Sequence, residues 1–245
     1  MSMMNNKGWS MALVGLALLA VAGCSGSKVT SKLSAELPRY QIRTIALVPF
    51  TTLTTPQVRD VVDQTFSAPS GARRSDMALA VPPQTEQFRS QTAIVPIGAG
   101  GTVTQLFWSR LKSWQGVTVL SPSEAAKVLA SQAAPPPVGP SRAVTVAKQL
   151  KVDASLIGQV LVYQERVGGR FGANPPATVG FEVKLVAADG QVLWEGNYYE
   201  RQRPMIEDML GFFERWGMFV TAEELAGYGV DHMLLEFPFG TAGER

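Results

Sequence analysis

The stretch that decides the fold runs Leu150-Lys-Val-Asp-Ala-Ser-Leu-Ile-Gly-Gln-Val-Leu-Val-Tyr163. Within it Leu156, Gly158, Val160 and Val162 alternate with Ile157, Gln159, Leu161 and Tyr163, a period of two that belongs to a β-strand. The same period returns at Phe181, Val183 and Leu185 against Glu182, Lys184 and Val186. Asp189-Gly190 is then a tight-hairpin signal leading into Gln191 to Arg201, so three consecutive antiparallel strands are predicted. Upstream, Ile45 to Val48 is a continuous apolar run stopped by Pro49, the character of a strand buried on both faces, and Val117 to Leu120 adds a short strand.

Between and after these strands the period changes to that of a helix. Val103, Leu106, Phe107, Leu111 and Trp114 predict a helix over 102–114, with Gly98 to Gly101 before it and Gly116 after it. Ser121-Pro122-Ser123-Glu124 combines a Ser cap, a first-turn proline and a Glu three residues on, a capping box that starts the helix carrying Ala125, Val128 and Leu129. Pro135 to Pro140 reads as a rigid loop, and Ser141 as the cap of a helix over 142–150. The chain closes with helical stretches over 205–219 and 222–236, the second begun by the capping box Thr221-x-x-Glu224. The sum is an α/β (α+β) body over 41–245, a mixed sheet of about five strands backed by helices. Residues 51–99 show no sustained period, apart from helical spacing over 56–66, and form a long irregular insertion of the kind that has a job or is mobile.

The N-terminus decides location. Residues 1–10 are polar with Lys7 as the positive charge, and Met11 to Ala22 is an apolar run too short for the roughly 20 residues of a spanning helix. The run ends at Val21-Ala22-Gly23-Cys24, and Cys24 is the single cysteine of the 245 residues. This segment resembles the lipobox of bacterial lipoproteins, which implies removal of residues 1–23 as signal peptide and acylation of Cys24 (palmitate among the chains). The lack of Asp at position 25, where Ser25 stands, implies by the same resemblance an outer-membrane, periplasm-facing destination. Residues 24–40, rich in Ser, Lys and Thr, read as a lipidated cysteine and flexible tether that could hold the body up to roughly 50 Å from the membrane.

The opening strand Ile45-Ala-Leu-Val-Pro-Phe50, the Val117-Thr-Val-Leu120 strand, the Pro122-Ser-Glu-Ala-Ala126 helix and the Leu150–Val160 passage together resemble a periplasmic α/β superfamily. Its members include the curli secretion lipoprotein, the lipoprotein activators of penicillin-binding proteins, and the amino-terminal domain of the Tol system's propeller protein. The resemblance covers about residues 41–201 and implies a sheet backed by helices that makes protein contacts in the cell envelope without chemistry of its own. The insertion 51–99 and the aromatic C-terminal helices depart from it, so no binding residue is carried over.

Composition narrows the function classes. One cysteine and one histidine, His232, leave no intrachain disulfide and no Cys/His zinc cage. A net charge of +2, with no basic stretch beyond Arg73-Arg74, gives no footprint for nucleic acid. No serine has a nucleophile-elbow context, and Glu207-Asp208 and Glu223-Glu224 fall in helix first turns where they offset the dipole. His232 beside Asp231 is read as a structural helix residue in preference to a base. No enzyme and no cofactor are expected, and no metal.

Two Gly-rich stretches are candidate sites. Ile97-Gly-Ala-Gly-Gly-Thr102 precedes a helix and could hold a phosphate or carboxylate, but Val103 stands where a dinucleotide fingerprint wants Gly, and no Gly-Lys-Ser/Thr follows. A flexible loop with Thr102 and Gln105 as a capping pair is the preferred reading. The second, Val167 to Pro176, lies between strands and carries Arg170 beside Phe171, an interface pairing. The aromatics are also uneven: residues 194–239 contain ten of the 21, and apolar residues run nearly all round the 205–220 stretch, where a surface helix would show one stripe. The other side is covered by the final helix and the insertion, by a partner or second copy, or by the membrane surface. Arg170, Phe171, Phe212, Phe213, Trp216 and Phe219 are the candidate interface residues.

The reading that results is a membrane-anchored, non-catalytic protein-binding accessory of envelope assembly or regulation, with an envelope protein as partner. The alternative is an oligomeric subunit of an outer-membrane secretion channel, against which the absence of clean alternating ten-residue runs in 51–99 counts. A small-ligand-binding or hydrolytic protein is a weaker third.

Overall fold

In a computed structural model describing residues 28–55, 57–58, 92–132, 139–204 and 207–242, the alternating stretches become the centre of one large sheet. Its strands are β1 (Val29–Leu33), β2 (Thr44–Leu47), β3 (Thr51–Thr52), β4 (Thr118–Leu120), β5 (Ala154–Gln164), β6 (Thr178–Ala187) and β7 (Val192–Arg201). The order across the sheet is β1-β7-β6-β5-β2-β4, with β3 also pairing β5. β5, β6, β7 and β1 are antiparallel neighbours, whereas β2 runs parallel to both β5 and β4. This is the mixed α/β architecture expected from the sequence, with seven strands where the sequence predicts about five.

Helices cover both faces. On one side lie α1 (Ala99–Leu111) and α5 (Ala222–Leu235), and on the other α2 (Pro122–Ala130) and α3 (Pro140–Leu150). The period-two pattern explains the larger core. Val179, Phe181, Val183 and Leu185 of β6 point to the α1–α5 side, where they meet Val103 and Phe107 of α1 and Leu225 and Val230 of α5. β2 is sandwiched, with Ile45 and Leu47 in that cluster and Ala46 and Val48 in a smaller one with Leu129, Val146 and Ala147. Its continuous apolar run is therefore the signature of burial on both faces.

Several predicted details hold. The capping boxes at Ser121/Glu124 and Thr221/Glu224 are both present. The Asp189-Gly190 turn has Gly190 at φ +103°, and the Asp189 carboxylate accepts from the Gln191 amide at 3.0 Å. Gly158 does allow a close approach: a Cβ there would lie 2.5 Å from the Phe50 ring.

Other details are corrected. Helix α1 begins at Ala99 behind Gly98, and Thr102 turns its hydroxyl back to the Gly98 carbonyl at 3.3 Å, so the Thr102/Gln105 cap is not made. Gly100 is a packing glycine, since a Cβ would meet the Phe50 carbonyl oxygen at 2.5 Å. The Gly-rich turn thus seats α1 against the strand end. Helix α3 begins at Pro140 behind Gly139 at φ +67°, with Ser141 already inside the helix.

The tether is the larger correction. Val29–Leu33 pairs along β7, Val29 opposite Tyr198 and Leu33 opposite Trp194, and a short 3-10 turn follows at Leu37–Arg39. Strand β7 would otherwise have an open edge, and pairing it satisfies backbone groups that a free tether would leave exposed. The 205–219 helix is corrected too: among the described residues only α4 (Met209–Glu214) is α-helical. Signal residues 1–23, Cys24, residues 56 and 59–91 of the insertion, and 135–138 of the Pro loop lie outside the described residues; the helical spacing over 56–66 is corrected at Gln57–Val58, which is a strand. At its two ends the insertion contributes β3 to the main sheet and the first residue of α1, and a two-residue antiparallel pairing of Gln57–Val58 with Thr92–Ala93 forms its stem.

Helix α5 lies very close to the sheet at Gly229, where a Cβ would overlap the Tyr198 ring. Gly229→Ala is therefore expected to destabilise the protein by about 1–3 kcal/mol through overpacking, measured as a lower urea midpoint. An unchanged midpoint would mean that this helix–sheet contact is looser than described.

Candidate functional site: a clamped arm and its groove

Strand β7 turns Trp194, Gly196, Tyr198 and Glu200 toward the same buried side. Glu200 is only 5% exposed and would be costly there alone. Its carboxylate is satisfied from three directions. The Tyr198 hydroxyl donates to Oε2 at 2.7 Å, Lys28 Nζ lies 3.3 Å from Oε1, and the Arg215 guanidinium forms a short ion pair with Oε1. Arg215, at 1% exposure, also lies 3.6 Å from the Asp208 carboxylate. Burial, followed by the neighbouring Glu200 charge, pushes the Tyr198 phenol far above its ordinary value, so Tyr198 stays a donor.

This network shapes the segment after β7. Helix α4 ends at Glu214, Arg215 turns inward, and the next two residues adopt left-handed backbone, Trp216 at φ +55° and Gly217 at φ +70°. Buried Gln202 then ties down the return: its side-chain amide donates to the Met218 carbonyl at 2.7 Å and accepts from the Val220 amide at 3.0 Å. The Phe219 amide donates to the Arg170 carbonyl at 2.7 Å, which joins the arm to the loop between β5 and β6.

The predicted interface residues are thereby sorted. Phe171 (91% exposed), Phe213 (63%) and Trp216 (84%) stand out to solvent. Arg170 is exposed and pairs with Glu224 at 3.4 Å. Phe219 is buried and belongs to the support of the arm; the Phe212 side chain lies outside the described set. Arg170 and Trp216 share one groove of about 620 Å³, whose walls are α1 (Leu106, Arg110), α5 (Glu223, Glu224, Tyr228, Asp231) and the arm (Met218 to Thr221). Arg110 makes a two-pronged pair with Asp231, at 2.9 and 3.2 Å.

Glu224 faces this groove and caps α5. The Thr221 backbone N–H holds its carboxyl below the ordinary value; burial opposes, and the Thr221 hydroxyl and the Arg170 and Arg166 charges add to the lowering. Sequence reasoning missed Glu200 and Arg215. A signal existed for the first, a carboxylate in the buried phase of an alternating strand.

Among the described residues no group of three or more His, Cys, Asp and Glu side chains is placed to hold a metal, and no helix is long and apolar enough to cross a membrane. No protein-family profile matches the sequence, and no curated protein sequence matches it. Solved structures with a similar arrangement include a PelC dodecamer from Paraburkholderia phytofirmans, at 12% identity, 84% of this chain, 93% of that one and TM-score 0.40. Another is the LpoB C-terminal domain from Salmonella enterica (10% identity, 65% and 83% covered, TM-score 0.34). A third is lipoprotein GNA1162 from Neisseria meningitidis (14% identity, 71% and 91% covered, TM-score 0.35).

Removing the Glu200 charge leaves Arg215 buried without its main counter-ion, so Glu200→Gln is expected to cost about 3–5 kcal/mol of stability in urea unfolding. A loss below about 1 kcal/mol would contradict the clamp. The pH dependence follows from Glu224. Because its folded pKa is depressed, its contribution is present above the ordinary carboxylate range and disappears as pH falls through and below that range, below about pH 4. Glu224→Gln should flatten that part of the stability-against-pH curve, and an unaltered curve would refute the assignment.

Proposed function

We propose that this chain is a lipid-anchored, periplasm-facing protein of the outer membrane that acts without catalysis, by binding another envelope protein in the groove between α1, α5 and the arm. The observation that carries this reading is the groove's composition. It combines Arg110, Arg170 and Tyr228, residue types enriched at the centres of protein interfaces, with two carboxylates, Asp231 and Glu224, already committed to ion pairs. Charges paired in advance can be covered by a partner without leaving a bare buried ion. Anchorage by acylated Cys24 rests on the apolar run that ends at the chain's single cysteine.

A photo-crosslinking residue placed at Tyr228 in living cells should give a discrete adduct, while the same residue at Lys127, exposed on α2, should not. The partner is then identified by mass spectrometry, an adduct of twice the chain's mass being a second copy. Arg110→Gln should abolish the Tyr228 adduct while changing stability by about 1 kcal/mol or less, because Asp231, the partner it leaves, is solvent-exposed. Equal adducts at both positions, or none at Tyr228, would contradict the proposal.

A further inference from the structure

The large apolar side chains left in solvent gather at one end of the sheet. β5 ends there at Gln164, β6 begins at Thr178, β7 ends at Arg201 and β1 begins at Val29. Val167 and Phe171 project from the connecting loop, Tyr199 from the end of β7, and Met209, Phe213 and Trp216 from the arm, all more than half exposed. These make up six of the ten large exposed apolar side chains among the described residues.

The lipid anchor leaves from this same end. Lys28 is fixed: its carbonyl accepts from the Tyr199 amide at 3.2 Å, and its Nζ lies 3.2 Å from Glu214, between Phe213 and the turn that carries Trp216. Cys24 precedes Lys28 by only four positions, a span of at most roughly 14 Å however residues 25–27 are arranged. A headgroup layer accounts for about 5–7 Å of that distance on each side of the hydrocarbon core. A tether of this length keeps this end of the domain within about 10 Å of the headgroups.

We infer that the bilayer surface covers this aromatic end, with Phe213, Trp216 and Phe171 seated in the headgroup region beside the acyl chains of Cys24. The inference rests on the anchored reading proposed above. It explains why a left-handed turn holds a tryptophan outward at 84% exposure: indole rings are favoured at the level of the headgroups. The surrounding charges are mixed, Lys28, Arg170 and Arg203 beside Glu207, Glu214 and Glu224, so the contact is apolar and requires no anionic lipid. The groove opens beside this seat, between α1 and α5, and faces a partner lying along the membrane.

The test uses the full-length chain processed in cells, purified in detergent and reconstituted into phosphatidylcholine vesicles with bromine on the acyl chains near the headgroup. Four tryptophans follow Cys24, namely Trp108, Trp114, Trp194 and Trp216. Brominated lipid should quench their emission, Trp216→Phe should reduce that quenching about twofold or more, and Phe213→Trp should increase it. Quenching unchanged in both variants, with an acylated Cys24 in the mass spectrum, overturns the membrane seat alone. An unacylated Cys24 overturns the anchor and the seat together. Trp216 emission that responds to protein concentration but not to bromine would show a second copy covering the surface, and would also overturn it.

Discussion

One buried carboxylate organises the end of this molecule on which its function is proposed to depend. Glu200 lies on the core side of β7, where an uncompensated charge would be prohibitive, and the surrounding chain is arranged to compensate it. Tyr198 comes from the same strand, Lys28 from the start of β1 and Arg215 from the segment beyond α4, so a single ion draws three distant parts of the sequence together. Replacing a buried ion cluster by apolar residues need not reduce stability, and its value here lies in specifying one arrangement of the arm. Hydrophobic contacts would tolerate several placements of α4, whereas a guanidinium that must meet Glu200 tolerates few.

Two consequences follow from where those partners originate. Because Lys28 is held just before β1, only residues 25–27 separate Cys24 from the folded body, and the tether expected over 24–40 is shortened accordingly. Because Arg215 turns inward, Trp216 and Phe213 are displaced outward, while Phe219 is drawn in beneath the arm. The surface proposed to face the membrane and the groove beside it are thus two outcomes of one electrostatic constraint.

The sheet was legible in the sequence because its signal is local. Alternation at Leu156–Tyr163 and Phe181–Val186, the Asp189-Gly190 turn and the Ser121 and Thr221 capping boxes each rest on a few adjacent residues. Strand β1 was not legible, since Val29-Thr-Ser-Lys-Leu33 has little apolar pattern and is a strand because β7 offers it an unpaired edge some 165 residues away. The 205–219 helix was over-read for a related reason. Its apolar residues satisfy a helical period, but Arg215 in their midst is required by Glu200, and the left-handed Trp216-Gly217 pair ends the helix early. Of the six candidate interface residues, Arg170, Phe171, Phe213 and Trp216 come to one end of the sheet, Phe219 is buried, and the Phe212 side chain lies outside the described residues. That Arg170 and Trp216 share a groove with Arg110 and Tyr228 depends on the packing of α1 against α5, which no local pattern encodes.

Glu200, Arg215 and Gln202 together hold the arm after β7 in one place. Amide hydrogen exchange at Phe219 and Val220 reads this directly, because their N–H groups are bonded only while the arm is docked, to the Arg170 carbonyl and the Gln202 side chain. A docked arm gives these amides protection within about tenfold of the core amides of β6, the behaviour of a segment that opens with the fold as a whole. Exchange at the rate of an unstructured chain, with β6 still protected, would contradict it.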